Sequence, residues 1–258
     1  MDCRWFVDFG DSMALLEWWS APTMPTTRVN DINIYYEVHG EGEPLVLIGG
    51  LANDVSDYTD HTKIIPELSR RFRVIAFDNR GVGRTDKPDI PYSIPMMAED
   101  AAGLLGALGI GRVHVLGISM GGRIALELTL RRPDMVNKLV LVSTGPMVVK
   151  SWRRHIVFGV LKRLPFYEGK YPQPYYAFVR QLEASSSYDC TARLSEIHAP
   201  TLIVHGRKDS WAPYKLAEEM HMGIRASKMV TFDGGHLLVF TRSRQFVDTV
   251  QEFLSGYA

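Results

Sequence analysis

Short, largely apolar runs constrain the fold of this chain most strongly. They are separated by segments long enough to form a helix, and they are continuous rather than alternating. Such runs are typical of strands that are covered on both faces of a parallel sheet. There are six of them: Leu45–Ile48, Val74–Phe77, Val113–Leu116, Leu139–Val142, Leu202–Val204 and Met229–Phe232. An earlier run, Ile32–Val38, alternates and predicts a strand with one buried face.

Helical patterns lie between these runs. Apolar residues recur at helical spacing from Met97 to Leu108, from Met120 to Leu128 and from Phe246 to Leu254. Strands that alternate with helices predict an α/β fold, in which a mostly parallel central sheet carries helices on both faces. The length of 258 residues suits a single domain with an inserted subdomain.

The alternation stops between residues 144 and 198. This stretch has no clear strand, and helical spacing appears along Trp152–Leu164 and again around Tyr176–Leu182. We interpret residues 144–198 as a small helical cap inserted between two parts of the core, 26–143 and 199–258. Residues 1–25 are rich in aromatic residues and end in a proline-containing loop, unlike the regular pattern that follows. They predict an N-terminal appendage of uncertain order, with Met24 as an alternative start.

Composition excludes several classes of function. Lys plus Arg and Asp plus Glu each number 29, so the chain lacks the cationic excess of a general nucleic-acid binder. Its two cysteines are too few for a disulfide framework, and no histidine has metal-ligand spacing. No apolar run could span a bilayer, and the N-terminus is acidic where a signal peptide is basic. We expect a cytoplasmic protein without stable membrane insertion. A homodimer is compatible with the sequence.

The sequence Gly117-Ile118-Ser119-Met120-Gly121 carries the strongest chemical signal. It follows one apolar run directly and opens a helix. A serine at such a strand-to-helix turn is raised above the sheet, and the flanking glycines allow the tight backbone that this position needs. Because a serine hydroxyl is a weak nucleophile, it needs a base, and the base needs an orienting acid.

Two loops supply these partners. His236 closes Asp233-Gly234-Gly235-His236 after the last run, and Asp209 follows the run Leu202–Val204. Both therefore belong to the carboxyl edge of the sheet, where the active sites of parallel sheets gather. Asp78, which also follows an apolar run, and Asp233, which is close to His236 in sequence, are alternatives for the acid.

Five segments together resemble a known family: 44–50, 78–88, 117–122, 200–209 and 234–236. From about Thr26 onward the chain is similar to α/β-hydrolase-fold proteins. The similarity is to the branch that includes small esterases, enol-lactonases, carbon–carbon bond hydrolases and cofactor-free peroxidases. The segment 78–88 looks most like that of enol-lactonase relatives.

The resemblance implies roles for particular residues. Ser119 would be the nucleophile, His236 the general base and Asp209 the acid, with no metal or cofactor. The backbone N–H groups of Leu51 and Met120 would form the oxyanion hole. The family usually has His-Gly at this loop, whereas this chain has Gly49-Gly50.

The resulting hypothesis is a serine hydrolase of small carboxylic esters, thioesters or lactones, acting through an acyl-enzyme on Ser119. One alternative is a carbon–carbon bond hydrolase of a vinylogous keto acid. Another is a ligand-binding signalling protein with slow turnover on the same fold. The predicted substrate contacts are Gly50, Met147, Trp152, Tyr175, Tyr176 and Arg180.

Overall fold

A computed structural model describes residues 25–149 and 171–256. Eight strands form one sheet in the order β1-β2-β4-β3-β5-β6-β7-β8. The strands are β1 Thr26–Val29, β2 Ile32–His39, β3 Glu43–Ile48, β4 Phe72–Phe77, β5 Val113–Ile118, β6 Val136–Val142, β7 Thr201–Gly206 and β8 Ser227–Phe232. The helices are α1 Ile64–Leu68, α2 Ile94–Ala107, α3 Met120–Arg131, α4 Tyr175–Ser187, α5 Tyr214–Gly223, α6 Leu238–Thr241 and α7 Ser243–Ser255.

The sheet is parallel over most of its width. β2 is antiparallel to both of its neighbours, whereas the strands from β3 to β8 all run in one direction. The register pairs Ile48 with Gly117 and Ile118 with Val142, so the ends of β3, β5 and β6 are level. Loops that follow these strands therefore emerge at one edge, beside one another.

The predicted α/β-hydrolase architecture is confirmed. Each of the six apolar runs lies inside one of the strands from β3 to β8, and the alternating run forms β2. The three helical patterns lie within α2, α3 and α7, with a boundary difference of one residue at the end of α2. β1, α1 and α5 were not anticipated, because their short or weakly periodic sequences give little signal.

Two hydrophobic clusters cover the two faces of the sheet. On one face Leu104 of α2 and Ile124 of α3 are fully buried against the strands. On the other face Leu68 of α1 and Phe246 of α7 are fully buried. Each such side chain contributes about 1.5–3 kcal/mol by leaving water, so burial on both faces stabilises the sheet between its helices.

The helix α4 belongs to the described part of the predicted cap, residues 144–149 and 171–198. Ala177, Phe178, Gln181 and Leu182 are buried, and the predicted segment Tyr176–Leu182 lies within this helix. The second predicted cap helix, along Trp152–Leu164, lies outside the described residues, as do residues 1–24. Within 25–149 and 171–256 no helix has both the length and the apolar content that a membrane crossing requires.

Candidate active site

Ser119 occupies the sharp turn between β5 and α3. Its backbone has φ 55° and ψ −114°, a conformation that L-residues rarely adopt and that costs about 1–3 kcal/mol. Two hydrogen bonds hold it: Ser119 N–H donates to Val142 O at 2.9 Å, and Thr144 Oγ1 donates to Ser119 O at 2.7 Å. The turn is therefore fixed from the neighbouring strand β6.

The flanking glycines are needed because the backbone passes close to other chain segments. A Cβ atom on Gly117 would lie 2.5 Å from Gly121 O, and one on Gly121 would lie 2.1 Å from Ile48 O. Both separations are far below van der Waals contact. The glycines thus let the first turn of α3 pack directly on the ends of β3 and β5.

The loops after β7 and β8 bring two further side chains to Ser119. Ser119 Oγ lies 2.9 Å from His236 Nε2, and His236 Nδ1 lies 2.9 Å from Asp209 Oδ2. A carboxylate can only accept, so the imidazole N–H on Nδ1 donates to Asp209. Nε2 is then left to accept the Ser119 hydroxyl proton.

Asp209 is held by more than His236. Its side chain is inaccessible to solvent, and Oδ1 accepts from the backbone N–H groups of Trp211 and Ala212, both at 2.8 Å. His205 is also fully buried and donates from Nε2 to Ala212 O at 2.7 Å, with the same nitrogen 3.4 Å from Asp209 Oδ2. Burial lowers the pKa of His205, which keeps its ring neutral.

The alternative acids lie elsewhere. Asp78 is fully buried, but its oxygens accept from the backbone N–H of Val55 and from Arg84. Asp233 is 72% exposed at its side chain and lies 2.8 Å from Lys208 Nζ. Asp209 is the carboxylate that the structure places against His236.

The loop after β3 passes beside the nucleophile. A Cβ atom on Gly50 would lie 3.6 Å from Ser119 Cβ, and the next residue, Leu51, lines a cavity together with Ser119. Met120 is the first residue of α3 and is buried. The two predicted oxyanion donors, the N–H groups of Leu51 and Met120, thus belong to segments that meet at Ser119.

An apolar cavity of about 360 Å³ opens at Ser119 and His236. The indole of Trp211 and the side chain of Leu237 are 49% and 59% exposed at its mouth. Trp211 also lies close to the imidazole, with 6.3 Å between the ring centroids. The other lining residues are Leu51, Ala52, Asn53, Ile118, Phe178, Val239 and Phe240.

A second, smaller cavity of about 60 Å³ is also lined by Ser119 and His236. Its wall includes Arg123, one helical turn after Ser119, and Ser185 of α4. Arg123 is 6% exposed, and its Nη1 donates to Ser185 Oγ at 3.0 Å. Ser119 therefore lines both a larger apolar cavity and a smaller cavity whose wall includes Arg123.

The predicted substrate contacts have different surroundings. Gly50 lies beside Ser119, as described above, whereas Trp152 lies outside the described residues. The Tyr175 side chain is 43% exposed, Tyr176 donates its hydroxyl to Lys87 O at 2.6 Å, and Arg180 pairs with Asp89 at 3.3 Å.

None of these three side chains on α4 lines either cavity, because the face of α4 that is turned to the site is the one with Phe178 and Leu182. Met147 forms an isolated bridge with Asp189, and its neighbour Val148 lines the small cavity instead. Among the described residues, no three His, Cys, Asp or Glu side chains form a group suited to a metal ion.

The fold is that of the α/β hydrolases. The family description "alpha/beta hydrolase fold" matches residues 43–171, and "TAP-like protein" matches residues 181–256. The chain therefore belongs to the α/β hydrolase family, and it is an enzyme of the hydrolase class.

Known relatives carry several hydrolase names. The chain is 28% identical to RutD of Azorhizobium caulinodans, named for carbamate hydrolysis, over 91% of this chain and 98% of that one. It is 29% identical to the 2-hydroxy-6-oxo-2,4-heptadienoate hydrolase of Pseudomonas putida, over 84% and 91%. The enol-lactonase structure from Burkholderia xenovorans superposes with a TM-score of 0.78 at 24% identity, covering 90% of this chain and 100% of that one.

Proposed function

We propose that this protein is a serine hydrolase of small carboxylic esters, thioesters or lactones that works without a cofactor. The observation that carries the proposal is the relay from Ser119 Oγ through His236 to Asp209, with 2.9 Å at each step. The relay starts from a serine held at a strained strand-to-helix turn, and it opens onto an apolar cavity.

The acylation step follows from this arrangement. His236 Nε2 takes the proton of Ser119 Oγ as that oxygen attacks the substrate carbonyl carbon. The carbonyl π electrons move onto oxygen, and the N–H groups of Leu51 and Met120 stabilise the resulting oxyanion. When the carbonyl re-forms, His236 returns the proton to the departing alcohol or thiol, and the acyl group stays on Ser119.

Deacylation repeats the sequence with water. His236 removes a proton from a water molecule, whose oxygen attacks the acyl carbon, and Ser119 Oγ leaves with that proton restored. Asp209 keeps the imidazole oriented throughout and stabilises its transient positive charge. The products are a carboxylic acid and an intact enzyme.

The larger cavity favours an uncharged, apolar group on the substrate. Most of its lining is aliphatic or aromatic, and its volume of about 360 Å³ suits a small molecule. Residues 144–198 would act as a cap on a core made of 26–143 and 199–258, and Phe178 of α4 supports this division because it lines the cavity. The appendage 1–25, a cytoplasmic location and a homodimer remain predictions.

Arg123 favours one second candidate, a carbon–carbon bond hydrolase of a vinylogous keto acid. Such a substrate carries a carboxylate, and a guanidinium group that lines the small cavity beside Ser119 could bind it. The Pseudomonas putida relative is named as the hydrolase of an oxo-dienoate. The same relay would serve that reaction, so the two candidates differ in the substrate and not in the reacting side chains.

Rapid mixing with p-nitrophenyl acetate, butyrate and octanoate tests the proposal. We expect steady hydrolysis, preceded by a burst of up to one p-nitrophenolate per protein for an ester whose deacylation is slower than its acylation. Ser119→Ala should abolish both phases, whereas the remote variant Ser69→Ala should retain them. A burst without later turnover would favour the slow ligand-binding alternative, and absence of serine-dependent hydrolysis of any ester, thioester or lactone would contradict the proposal.

A further inference from the structure

The loop after β3 carries the proposed oxyanion donor Leu51 and has two glycines before it, Gly49 and Gly50. A Cβ atom on Gly49 would lie 3.1 Å from Tyr58 Cε2 and 3.5 Å from Tyr58 Oη. The ring of Tyr58, which is 1% exposed, therefore occupies the space into which a side chain at residue 49 would project.

The Tyr58 hydroxyl is bonded into this loop on both sides. It accepts the N–H of Gly50 at 3.0 Å and lies 3.3 Å from Asn53 Oδ1, to which it donates. Burial raises the pKa of Tyr58, so the hydroxyl stays protonated and can donate its hydrogen to Asn53 Oδ1. Asn53 is itself fixed, since its Nδ2 donates to Asp57 Oδ2 at 2.8 Å.

The other side of the loop is held from the cap helix α4. Gln181, which is fully buried, accepts the N–H of Ala52 at 3.2 Å through Oε1. Its Nε2 donates to Arg80 O at 2.8 Å, and Gln173 Nε2 donates to the same Oε1 at 3.1 Å. Ala52 has φ 61°, a left-handed conformation that costs energy outside glycine and needs such support.

These bonds single out one amide. Gly50 N–H bonds to Tyr58, Ala52 N–H bonds to Gln181, and Asn53 N–H donates to Gly50 O at 3.3 Å. In the part of the chain that the structure describes, the N–H of Leu51 has no hydrogen-bond partner. The amide between the two held positions, in a residue that lines the same cavity as Ser119, is thus the one left to bond to a ligand.

We propose that Tyr58 and Gln181 are positioning residues for the oxyanion hole, each fixing an amide next to the Leu51 donor. The inference rests on the proposed function, because it concerns the same reaction. It adds a coupling that the relay does not require: since Gln181 belongs to α4, the docking of the cap helix and the direction of the Leu51 N–H depend on each other.

The variants Tyr58→Phe and Gln181→Met remove the bonds with little change in volume. Loss of a whole oxyanion donor costs about 10²- to 10³-fold in rate, so we expect each misdirected donor to lower kcat about tenfold. KM should stay within about twofold, because the donor acts on the transition state rather than on the bound ester. The inhibition constant of a trifluoromethyl ketone, which forms an oxyanion on the serine, should rise by the same factor as kcat falls.

Two matched controls remove similar groups elsewhere. Tyr35→Phe deletes a buried hydroxyl that donates to Glu37 at 2.7 Å, and Gln251→Met deletes an amide that donates to Glu67 O at 3.0 Å. Both should keep kcat and the ketone constant within twofold. Rates are expressed per serine labelled by a fluorophosphonate, so that unfolded protein does not count.

The inference is overturned if Tyr58→Phe and Gln181→Met match these controls, or if kcat falls while ketone affinity does not. If Gln181→Met fails to fold, Tyr58→Phe decides by itself. A wild-type protein that neither reacts with the fluorophosphonate nor hydrolyses esters contradicts the proposed function instead, and the inference falls with it.

Discussion

The three proposed reacting side chains and the walls of the cavity beside them are built in different ways. Ser119, Asp209 and His236 each follow a parallel strand, so the register of the sheet brings them together. The cavity wall combines Phe178 of α4 with Trp211 from a loop and residues of α6. We therefore propose that strand-end geometry sets the bond-breaking chemistry, while packing between distant segments sets the choice of substrate.

Among the three proposed reacting side chains, Ser119→Ala should have the largest effect. Because the hydroxyl is the attacking group, we expect kcat to fall about 10⁶-fold for every substrate, whatever its acyl group. The measurement is steady-state hydrolysis of a short and a long p-nitrophenyl ester. A variant that loses activity on one ester only would contradict the separation of chemistry from substrate choice.

Asp209→Asn should have the next largest effect. The amide cannot hold the imidazole with its N–H on Nδ1, so we expect kcat to fall about 10⁴-fold with the fold unchanged. The same change at the exposed Asp233, which pairs with Lys208, is the control and should leave kcat within twofold. Comparable losses in both variants would show that Asp209 is not the orienting acid.

Arg123→Met examines the small cavity. A charge-assisted hydrogen bond to a bound carboxylate is worth about 1.5–3 kcal/mol, so we expect kcat/KM to fall roughly 10- to 100-fold for a substrate with a free carboxylate. Neutral esters should be affected less than about threefold. Equal losses for monoethyl succinate and ethyl butyrate would indicate that Arg123 supports the structure and does not select charge.

Trp211→Ala examines the large cavity and should have the smallest effect. Half of the indole is exposed, so only part of its apolar surface can cover a substrate, and we expect about a five- to tenfold loss for an octanoyl ester. Hydrolysis of the acetyl ester should change less than twofold. Met222→Ala, at a side chain that is 79% exposed on α5, is the matched control.

Much of the fold could be predicted because its signals are local. Each strand of the parallel part of the sheet contains a continuous apolar run, and Gly117 and Gly121 indicate the tight turn at Ser119. Asp209 and His236 could be placed at the same edge because both follow such runs. Their distances to each other and to Ser119 required the structure.

The residues that line the cavity could not be predicted, because they depend on which face of helix α4 packs against the core. On α4 the sequence offers aromatic residues on several faces, and we expected Tyr175 and Tyr176 to line the site. Packing turned Phe178 and Leu182 inward and left both tyrosines at the surface. The contact of Gln181 could not be predicted either, because nothing in the sequence indicates that a glutamine of this helix accepts the N–H of Ala52.

The role of Ser119 as the nucleophile is tested by covalent labelling with a fluorophosphonate, followed by intact-mass and peptide analysis. We expect one adduct per folded protein, located on Ser119, and a labelling rate that drops steeply in His236→Ala because the hydroxyl loses its base. A folded protein whose Ser119 stays unmodified, or one labelled equally fast without His236, would contradict it.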